Sequence, residues 1–482
     1  MSNPIKKLLG QTAIYGMSSI ISRTLNFFLV PFYLYIFDDP KDYGVISILY
    51  SFVAFLMVLL TFGMETAYFR FVQDETDKKK VFQTGFVSLL AVNIIFFIGI
   101  FLTKGSIADW IGVGEHPEYI TLLGLIVVVD AASALPLAKL RQENQAKRFA
   151  FIQFSGIGVN VILNLVLLSF FFDKENPEEG VLIILIVNLI SSLIKPLLCL
   201  NDFKNIEFKW DKELGKRMFL YAFPLVIAGF AGIVNETIDR ILLLKYIPEN
   251  QNALHEIGIY SANYKVAMLV SIVLQAYRYA AEPFFFNQKN NSDRNKTYIK
   301  LMNYFVAFVC LMFLVISLNL DIFKYFIPNK NYWEGLYVVP ILLMANVFLG
   351  IYLNQSVWYK LSDKTKYGAY ISVIGAILTI VINILFIPTY GYKAAAWATL
   401  IVYATQMTLS YFWGQKHFPI KYNRRKFALY LGSTIVFYFI SQFISFENTL
   451  LSFLKNNFFV VLFILLVLKI EGISLKKMLK RA

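Results

Sequence analysis

The chain alternates between long apolar stretches and short polar gaps. The apolar stretches comprise residues 11–36, 44–66, 82–103, 118–140, 150–172, 180–200, 217–244, 256–280, 299–320, 335–356, 367–387, 393–414, 426–445 and 453–470. A helix needs about 20 apolar residues to cross the hydrocarbon core of a bilayer. A transmembrane barrel would instead show segments of about 10 residues with alternating polarity. The pattern therefore predicts an all-α polytopic membrane protein with about 14 transmembrane helices.

The 45 lysines and arginines are distributed unevenly over the gaps. Starting before the first span, every second gap is rich in them and together these gaps hold 32, whereas the opposite gaps hold eight. Cytoplasmic loops of membrane proteins carry an excess of basic residues. The alternation thus predicts that both termini are cytoplasmic. It also accounts for the net charge of +14 without a nucleic acid partner.

The gaps are too short to contain a further domain. The longest external gaps, 104–117 and 321–334, have about fourteen residues, and the longest cytoplasmic gaps are little larger. The three histidines are far apart without a metal-ligand spacing, and there is no P-loop. Cys199 and Cys310 lie in apolar context, which is typical of packing residues. The sequence therefore predicts neither an enzyme, nor a metal site or cofactor, nor a cleavable signal peptide.

The two halves of the chain resemble each other at an offset of about 211–219 residues. Pairs at an offset of 219 are Lys147 and Lys366, Ala150 and Ala369, Ile152 and Ile371, Gly156 and Gly375, and Asn164 and Asn383. The segment YGVISI at 43–48 is also similar to IGIYSA at 257–262. A shift of six spans preserves orientation, so the pattern predicts parallel repeats whose axis lies along the membrane normal.

The repeat and the span order predict four parts. Residues 1–200 would form an N-terminal six-helix bundle, 201–216 a cytoplasmic linker, and 217–414 a C-terminal six-helix bundle. Residues 415–482 would add two helices and a basic cytoplasmic tail. In transporters with this organisation the substrate path runs between the two bundles.

Five cations lie inside apolar spans: Arg23, Lys195, Arg240, Lys265 and Arg278. A charge at the centre of a membrane helix costs about 2.5–3.5 kcal/mol, so such residues usually face a wet cavity or a partner. Arg23 is in the middle of the first span, with Asn26 one turn later. Two interpretations are open: Arg23 lines a cavity, or it pairs with Asp130 or Glu65. Lys195 and Arg278 are nearer cytoplasmic ends and can extend towards the interface.

The seventh span carries four polar residues in its outer half. Asn235 and Asp239 share a face, and Glu236 and Arg240 share a neighbouring one. Pairing of Glu236 with Arg240 would leave Asp239 for Lys265 in the eighth span, beside which Tyr260, Asn263 and Tyr264 would offer a sugar-binding surface. The predicted cavity residues are therefore Arg23, Asn26, Asn235, Asp239, Arg240 and Lys265. Glu65, Asp130 and Asp239 are the predicted carboxylates for a coupling H⁺ or Na⁺, and the sequence leaves open which one titrates.

Several segments carry a family resemblance. These are QTAIYGMSSIISRTLNFFLVPFYLYIF at 11–37, DYGVISI at 42–48, FGMETAYFRF at 62–71, LRQENQAKRFAFI at 140–152 and PLVIAGFAGIVNETIDRILLLKY at 224–246. They are similar to Wzx-like polysaccharide flippases, the polysaccharide transport branch of the multidrug/oligosaccharidyl-lipid/polysaccharide exporter superfamily. The resemblance covers essentially the whole chain and rests on the order and spacing of the motifs.

This resemblance implies a location in the bacterial inner membrane. It implies transfer of an undecaprenyl-pyrophosphate-linked oligosaccharide, for O-antigen, capsule or another surface polysaccharide, from the cytoplasmic to the periplasmic leaflet by alternating access. It also implies a cationic cavity, coupling to an ion gradient, and a polysaccharide polymerase and chain-length regulator as partners. Arg23 matches the first-helix arginine of the related lipid II flippases in span and approximate depth.

Simple electrostatics agrees with such a cargo. A pyrophosphate carries about two negative charges, and guanidinium groups bind phosphate through two parallel hydrogen bonds. Three alternatives remain at this point. One is an organic-cation antiporter of the same superfamily, which would need an acidic or aromatic cavity. Another is a membrane glycan polymerase or glycosyltransferase, which would need larger loops. The third is a flippase for the peptidoglycan precursor.

Overall fold

A computed structural model describes residues 4–200, 209–287, 293–444 and 446–472. These residues form helices and connecting turns with no strand, so the all-α prediction is confirmed. The beginning of the predicted linker and the end of the predicted basic tail lie outside the described residues. The chain divides into two compact units, Met1–Gly258 and Ile259–Ala482.

The described residues of the first unit form eight helices and the start of a ninth. They are α1 (Pro4–Ile36), α2 (Pro40–Thr61), α3 (Met64–Asp74), α4 (Lys78–Ile111), α5 (Pro117–Gln142), α6 (Ala146–Phe170), α7 (Pro177–Leu198), α8 (Lys212–Tyr246) and α9 (Ala253–Asn287). Helix α9 continues into the second unit. That unit adds α10 (Arg294–Leu318), α11 (Leu320–Phe323), α12 (Val339–Gln355), α13 (Val357–Leu361), α14 (Lys366–Tyr390), α15 (Tyr392–His417), α16 (Arg424–Phe443) and α17 (Thr449–Glu471), with 3-10 turns at Lys324–Phe326 and Lys330–Val338.

Each of the fourteen predicted spans coincides with a long helix. Within the described residues, twelve stretches are long and apolar enough to cross a membrane. The remaining two spans, 393–414 and 426–445, correspond to α15 and α16, which are long enough but less apolar. Helix α15, for example, contains the buried polar residues Gln406 and Ser410. A polytopic protein is therefore confirmed, whereas the count of fourteen is not.

The second predicted span is shorter than expected. It was predicted to extend over 44–66, but α2 ends at Thr61 and α3 begins at Met64. Phe62 and Gly63 both have left-handed backbone conformations, with φ of 46° and 60°. Few residues other than glycine adopt this conformation, so the turn marks a sharp end of the helix. As a result, Glu65 lies in the first turn of a separate helix rather than in the continuation of α2.

The first unit packs around a core from four helices. Met64 and Tyr68 of α3, Phe82 of α4, Leu135 of α5 and Met218 of α8 are among its buried residues. Besides these contacts, α1 packs on α6, α6 on α7, α5 on α7, and α2 on α8. Helices in lipid associate through close packing and interhelical hydrogen bonds rather than through the hydrophobic effect. In this unit α8 therefore belongs with the helices that precede it.

Ion pairs hold the N-terminal end of α8 against α3 and α4. Lys80 lies 2.7 Å from Asp211, the N-cap residue of α8. Arg217 lies 2.9 Å from Glu75, just after α3. The backbone N–H of Leu214, together with the Lys80 ammonium, keeps the pKa of Asp211 below its ordinary value. These contacts lie on the side predicted to be cytoplasmic.

The second unit packs around α10 and α12. Helix α12 contacts α15 and α10, α14 contacts α15, and α10 contacts α16 and α17. Asn456 of α17 is buried, accepts a hydrogen bond of 2.9 Å from Ser441 of α16, and donates one to the carbonyl oxygen of Leu318 in α10. Polar contacts thus join the last two helices to α10. The four-part domain division remains a prediction.

Two repeat-related asparagines have the same environment within their own units. Asn164 of α6 and Asn383 of α14 are each fully buried. Each side-chain amide donates to the carbonyl oxygen four residues earlier, at 2.8 Å to Asn160 and 2.7 Å to Thr379. In both, the side-chain oxygen has no hydrogen-bond partner among the described residues. Equivalent burial and bonding agree with the predicted internal repeat.

A close crossing of α2 and α9 occurs within the first unit. A Cβ atom added to Gly44 would lie 1.8 Å from the carbonyl oxygen of Leu254. One added to Gly258 would lie 1.8 Å from the carbonyl oxygen of Pro40. Real Cβ atoms do not approach this closely, so only glycine lets the two backbones meet here.

Candidate functional site

Arg23 and Asn26 lie on one exposed stretch of α1. Both residues are exposed in the structure. The side-chain oxygen of Asn26 accepts a hydrogen bond of 2.9 Å from the amide of Asn160 in α6. Asn164 donates to the side-chain oxygen of Asn160 at 3.1 Å, which extends the polar contacts along α6. The amide network fixes α1 against α6 one turn from the Arg23 guanidinium.

The two predicted ion-pair partners of Arg23 are engaged elsewhere. Glu65 lies 2.6 Å from Arg141 of α5. Asp130 of α5 lies 2.8 Å from Lys195 of α7. Among the described residues Arg23 has no ion pair, so the interpretation that it pairs with Asp130 or Glu65 is wrong. The other interpretation, that it lines a cavity, stays a prediction.

Lys195 reaches inwards rather than towards the interface. Its side chain is 23% exposed and that of Asp130 is 21% exposed. The stem of Lys195 passes beside Gly156, where an added Cβ atom would lie 3.8 Å from the Lys195 Cε. The resulting ion pair joins α5 to α7 and compensates both charges within the first unit. The expected extension of Lys195 to the cytoplasmic interface was therefore wrong.

Asp239 and Arg240 form a buried pair on α8. Their side chains are 6% and 8% exposed, and the guanidinium lies 2.9 Å from the carboxylate oxygen. The same guanidinium nitrogen donates to the backbone carbonyl of Glu236 at 3.1 Å. Asn235, one turn before Asp239, is half-buried. The sequence predicted a pair of Arg240 with Glu236, and the structure pairs Arg240 with its neighbour Asp239. The expected pairing of Asp239 with Lys265 stays a prediction.

Lys265 lies half-buried on α9, in the second unit. The aromatic and amide residues beside it are not an open surface: Tyr260 and Asn263 are completely buried. The amide of Asn263 donates to the backbone oxygens of Ile259 and Tyr332, both at 2.8 Å. The expected sugar-binding surface was therefore wrong, because these residues pack α9 against the 3-10 turn before α12.

Sequence reasoning missed a row of polar contacts between α9 and the α12–α13 segment. Ser271 donates to Asn346 at 2.7 Å, and the amide of Asn354 donates to the hydroxyl of Tyr277, also at 2.7 Å. Further towards the end of α9, Glu282 pairs with Lys360. Tyr277, Arg278, Glu282 and Asn354 line a small pocket there. Asparagines in an otherwise apolar span were the available signal, because amides in a membrane need partners.

The chain is similar in sequence to a known protein family. A family model described as "Polysaccharide biosynthesis protein" matches residues 39–320, which is more than half of the chain. The chain belongs to this polysaccharide biosynthesis family. The match includes α2 to α10, and with them the ion pairs of the first unit described above. It confirms the predicted relationship to Wzx-like polysaccharide flippases.

Two proteins of Haemophilus influenzae are similar to this family member in sequence. One is named "Lsg locus putative protein 1", with 22% identity over 285 residues, 58% of this chain and 66% of that protein. The chain thus spans slightly less than two thirds of this relative's length. The other is named "Uncharacterized membrane protein", with 21% identity over 77% of this chain and 88% of that protein.

Solved structures share the fold. The lipid II flippase MurJ in an inward closed conformation aligns with a TM-score of 0.72 at 14% identity, covering 94% of this chain and 98% of MurJ. An inward-facing multidrug resistance MATE transporter aligns with a TM-score of 0.63 at 12% identity, covering 87% of this chain and 96% of the other. These similarities establish the all-α transporter fold.

Proposed function

We propose that this protein is a flippase for an undecaprenyl-pyrophosphate-linked oligosaccharide. It moves the lipid-linked sugar of an O-antigen, capsule or similar polysaccharide from the cytoplasmic to the periplasmic leaflet of the bacterial inner membrane by alternating access. The family membership and the fold shared with a lipid II flippase support this proposal. A polysaccharide polymerase and a chain-length regulator are its proposed partners.

The observation that carries the proposal is the uncompensated charge of Arg23. Lys195 and Arg240, which also lie inside spans, are paired with Asp130 and Asp239. Arg23 is exposed and has no ion pair among the described residues. An intramembrane guanidinium without a protein counter-ion is costly unless an anion or water reaches it. A pyrophosphate can supply that anion through two parallel hydrogen bonds.

An organic-cation antiporter is the alternative that shares this fold. Such a protein needs a carboxylate that is available to a cationic cargo. The three intramembrane candidates, Glu65, Asp130 and Asp239, are each within 3 Å of a protein cation. This arrangement favours an anionic cargo over a cationic one. Coupling to H⁺ or Na⁺ through one of these carboxylates remains part of the proposal.

Complementation of a flippase-null strain tests the proposed role. We expect Arg23→Ala to abolish display of the surface glycan and Arg23→Lys to restore part of it, because an ammonium keeps the charge but loses the bidentate geometry. The measurement is the amount of surface glycan per inserted protein, quantified in isolated membranes.

Arg70→Ala is the matched control. Arg70 pairs with Asp74 on the surface of α3, where an i,i+4 pair contributes only a few tenths of a kcal/mol. This control should export glycan normally. Normal glycan export by Arg23→Ala would show that Arg23 does not contact the cargo. Transport of organic cations by the purified protein would favour the organic-cation antiporter.

A further inference from the structure

Helices α5 and α7 begin side by side with the same local sequence pattern. In each, a proline starts the helix and a glutamate follows it: Pro117–Glu118 in α5, and Pro177–Glu178 in α7. The buried hydroxyl of Tyr119 donates to the backbone carbonyl of Glu178 at 2.7 Å, which fixes the two helix starts against each other. By the distribution of basic residues, this end of the first unit faces the periplasm.

His116 lies between the carboxylates of both helix starts. Its Nε2 is 2.9 Å from Oε2 of Glu178, and its Nδ1 is 2.9 Å from Oε1 of Glu118. Glu115, His116 and Glu178 each offer one side-chain ligand atom, and these three atoms lie within 4.8 Å of one another. The imidazole stacks on Tyr119, with ring centres 4.8 Å apart and planes inclined by 13°.

The two ring nitrogens of His116 differ in their bonding. Nδ1 is hydrogen-bonded to Glu118. Nε2 is buried but makes no aligned hydrogen bond, even though a Glu178 oxygen is close. Histidines that bind metals nearly always have one nitrogen bonded to a carboxylate or carbonyl, which leaves the lone pair of the other for the metal. The bonding of His116 has this asymmetry.

We propose that Glu115, His116 and Glu178 form a binding site for a divalent transition metal such as Zn²⁺. Nε2 of His116 and one oxygen from each glutamate would be the protein ligands, and Glu118 would orient the imidazole. Zn²⁺ binds such atoms at about 2.0–2.2 Å, so its tetrahedral ligands are separated by about 3.4 Å. Glu115 and Glu178 are exposed and can make this small adjustment.

Charge balance also favours a cation. Three carboxylates surround a single imidazole, so the cluster is negative even when His116 is protonated. A bound metal would compensate this charge and would join the loop before α5 to the start of α7. The sequence did not predict the site, because Glu178 is 62 residues from His116 and no short motif connects them.

Metal binding to the tag-free, full-length protein in detergent tests this inference, and it does not depend on the proposed transport activity. We expect one Zn²⁺ per chain by calorimetry, and a rise in the thermal unfolding temperature with Zn²⁺ concentration, because a ligand that binds the folded state stabilises it. His116→Ala should abolish this binding, and Glu178→Gln should weaken it. Glu118→Gln should weaken it by about 10–100-fold, as is typical of residues that orient a metal ligand.

His255→Ala is the matched control. His255 also lies near a carboxylate, with Nδ1 3.2 Å from Asp39, but it belongs to no cluster of three ligands among the residues that the structure describes. This variant should bind Zn²⁺ like the unsubstituted protein. If the unsubstituted protein binds no Zn²⁺, or if His116→Ala binds it equally well, the proposal is wrong. A folded His116→Ala variant is recognised by a cooperative thermal unfolding transition without metal.

Discussion

The charged residues inside the spans differ chiefly in whether a counter-ion compensates them. Lys195 and Arg240 have carboxylates at 2.8 and 2.9 Å, and such pairs require no external anion. Arg23 has no described counter-ion and relies on its exposure. Sequence reasoning identified all three positions, because hydropathy exposes a charge in an apolar span. It could not identify the partners, because Asp130 and Lys195 are 65 residues apart and only the packing of α5 on α7 brings them together.

Substitutions can distinguish a structural role of the Asp130–Lys195 pair from a role in ion coupling. We expect Asp130→Asn and Lys195→Met, each alone, to destabilise the protein by about 3 kcal/mol, because each leaves an unpaired charge in the membrane interior. The double substitution should recover most of this loss. Equilibrium unfolding in detergent micelles measures the free energies.

Glycan export by the same variants gives the second readout. A double variant that is stable and exports normally would show that Asp130 only holds α5 and α7 together. A double variant that is stable but inactive would instead show that the pair has a role in transport beyond stability. If the loss of stability in the double variant equalled the sum of the losses in the two single variants, the ion pair itself would be contradicted.

At the scale of single helices, hydropathy predicted the spans and missed their interruptions. Within the described residues a long helix lies at each predicted apolar stretch, because length and polarity are local properties. The turn at Phe62–Gly63 was missed because a phenylalanine at φ of 46° has no sequence signature. The turn lies against α8, where a Cβ atom added to Gly63 would be 3.4 Å from the carbonyl oxygen of Ala222.

The crossing of α2 and α9 makes a prediction about two glycines. Gly44→Ala should destabilise the protein by about 1–3 kcal/mol or more, because its Cβ would overlap the carbonyl oxygen of Leu254. Gly232→Ala in α8 is the control, since nothing lies within 4 Å of its added Cβ. It should be neutral or stabilising through helix propensity. Thermal unfolding in detergent compares the two, and equal stability would mean that α2 and α9 do not cross so closely in the membrane.

At the scale of the whole molecule, the distribution of basic residues predicts the orientation. Lys147 and Lys174 are exposed residues in gaps predicted to lie on opposite sides. The native Cys199 and Cys310 are completely buried, so they should not interfere with thiol labelling. We expect a membrane-impermeant maleimide to label Lys174→Cys in intact cells and Lys147→Cys only after permeabilisation. The reverse result would invert the proposed topology.

The repeat was also visible at this scale, although its consequences for packing were not. An offset of 219 residues pairs Asn164 with Asn383, and the structure gives both the same burial and the same bond to the preceding turn. The shared hydrogen bond depends only on local helix geometry, because it joins residues four positions apart. The distribution of helices over the two compact units depends on long-range contacts, such as those of α8 with α3 and α4, and these have no counterpart in composition or spacing.

The glycine crossing has a consequence for the origin of the chain. Gly44 and Gly258 occupy equivalent positions of the similar segments YGVISI and IGIYSA, and each would clash with the backbone of the other's helix if it gained a side chain. In an ancestor with a single copy of the repeat, one glycine would have met its own copy across a two-fold axis, which is the self-complementary contact of a homodimer. Duplication and fusion would have made them two separate positions, each still restricted to glycine by the other helix. The steric demand of that ancestral dimer would thus persist within a single polypeptide.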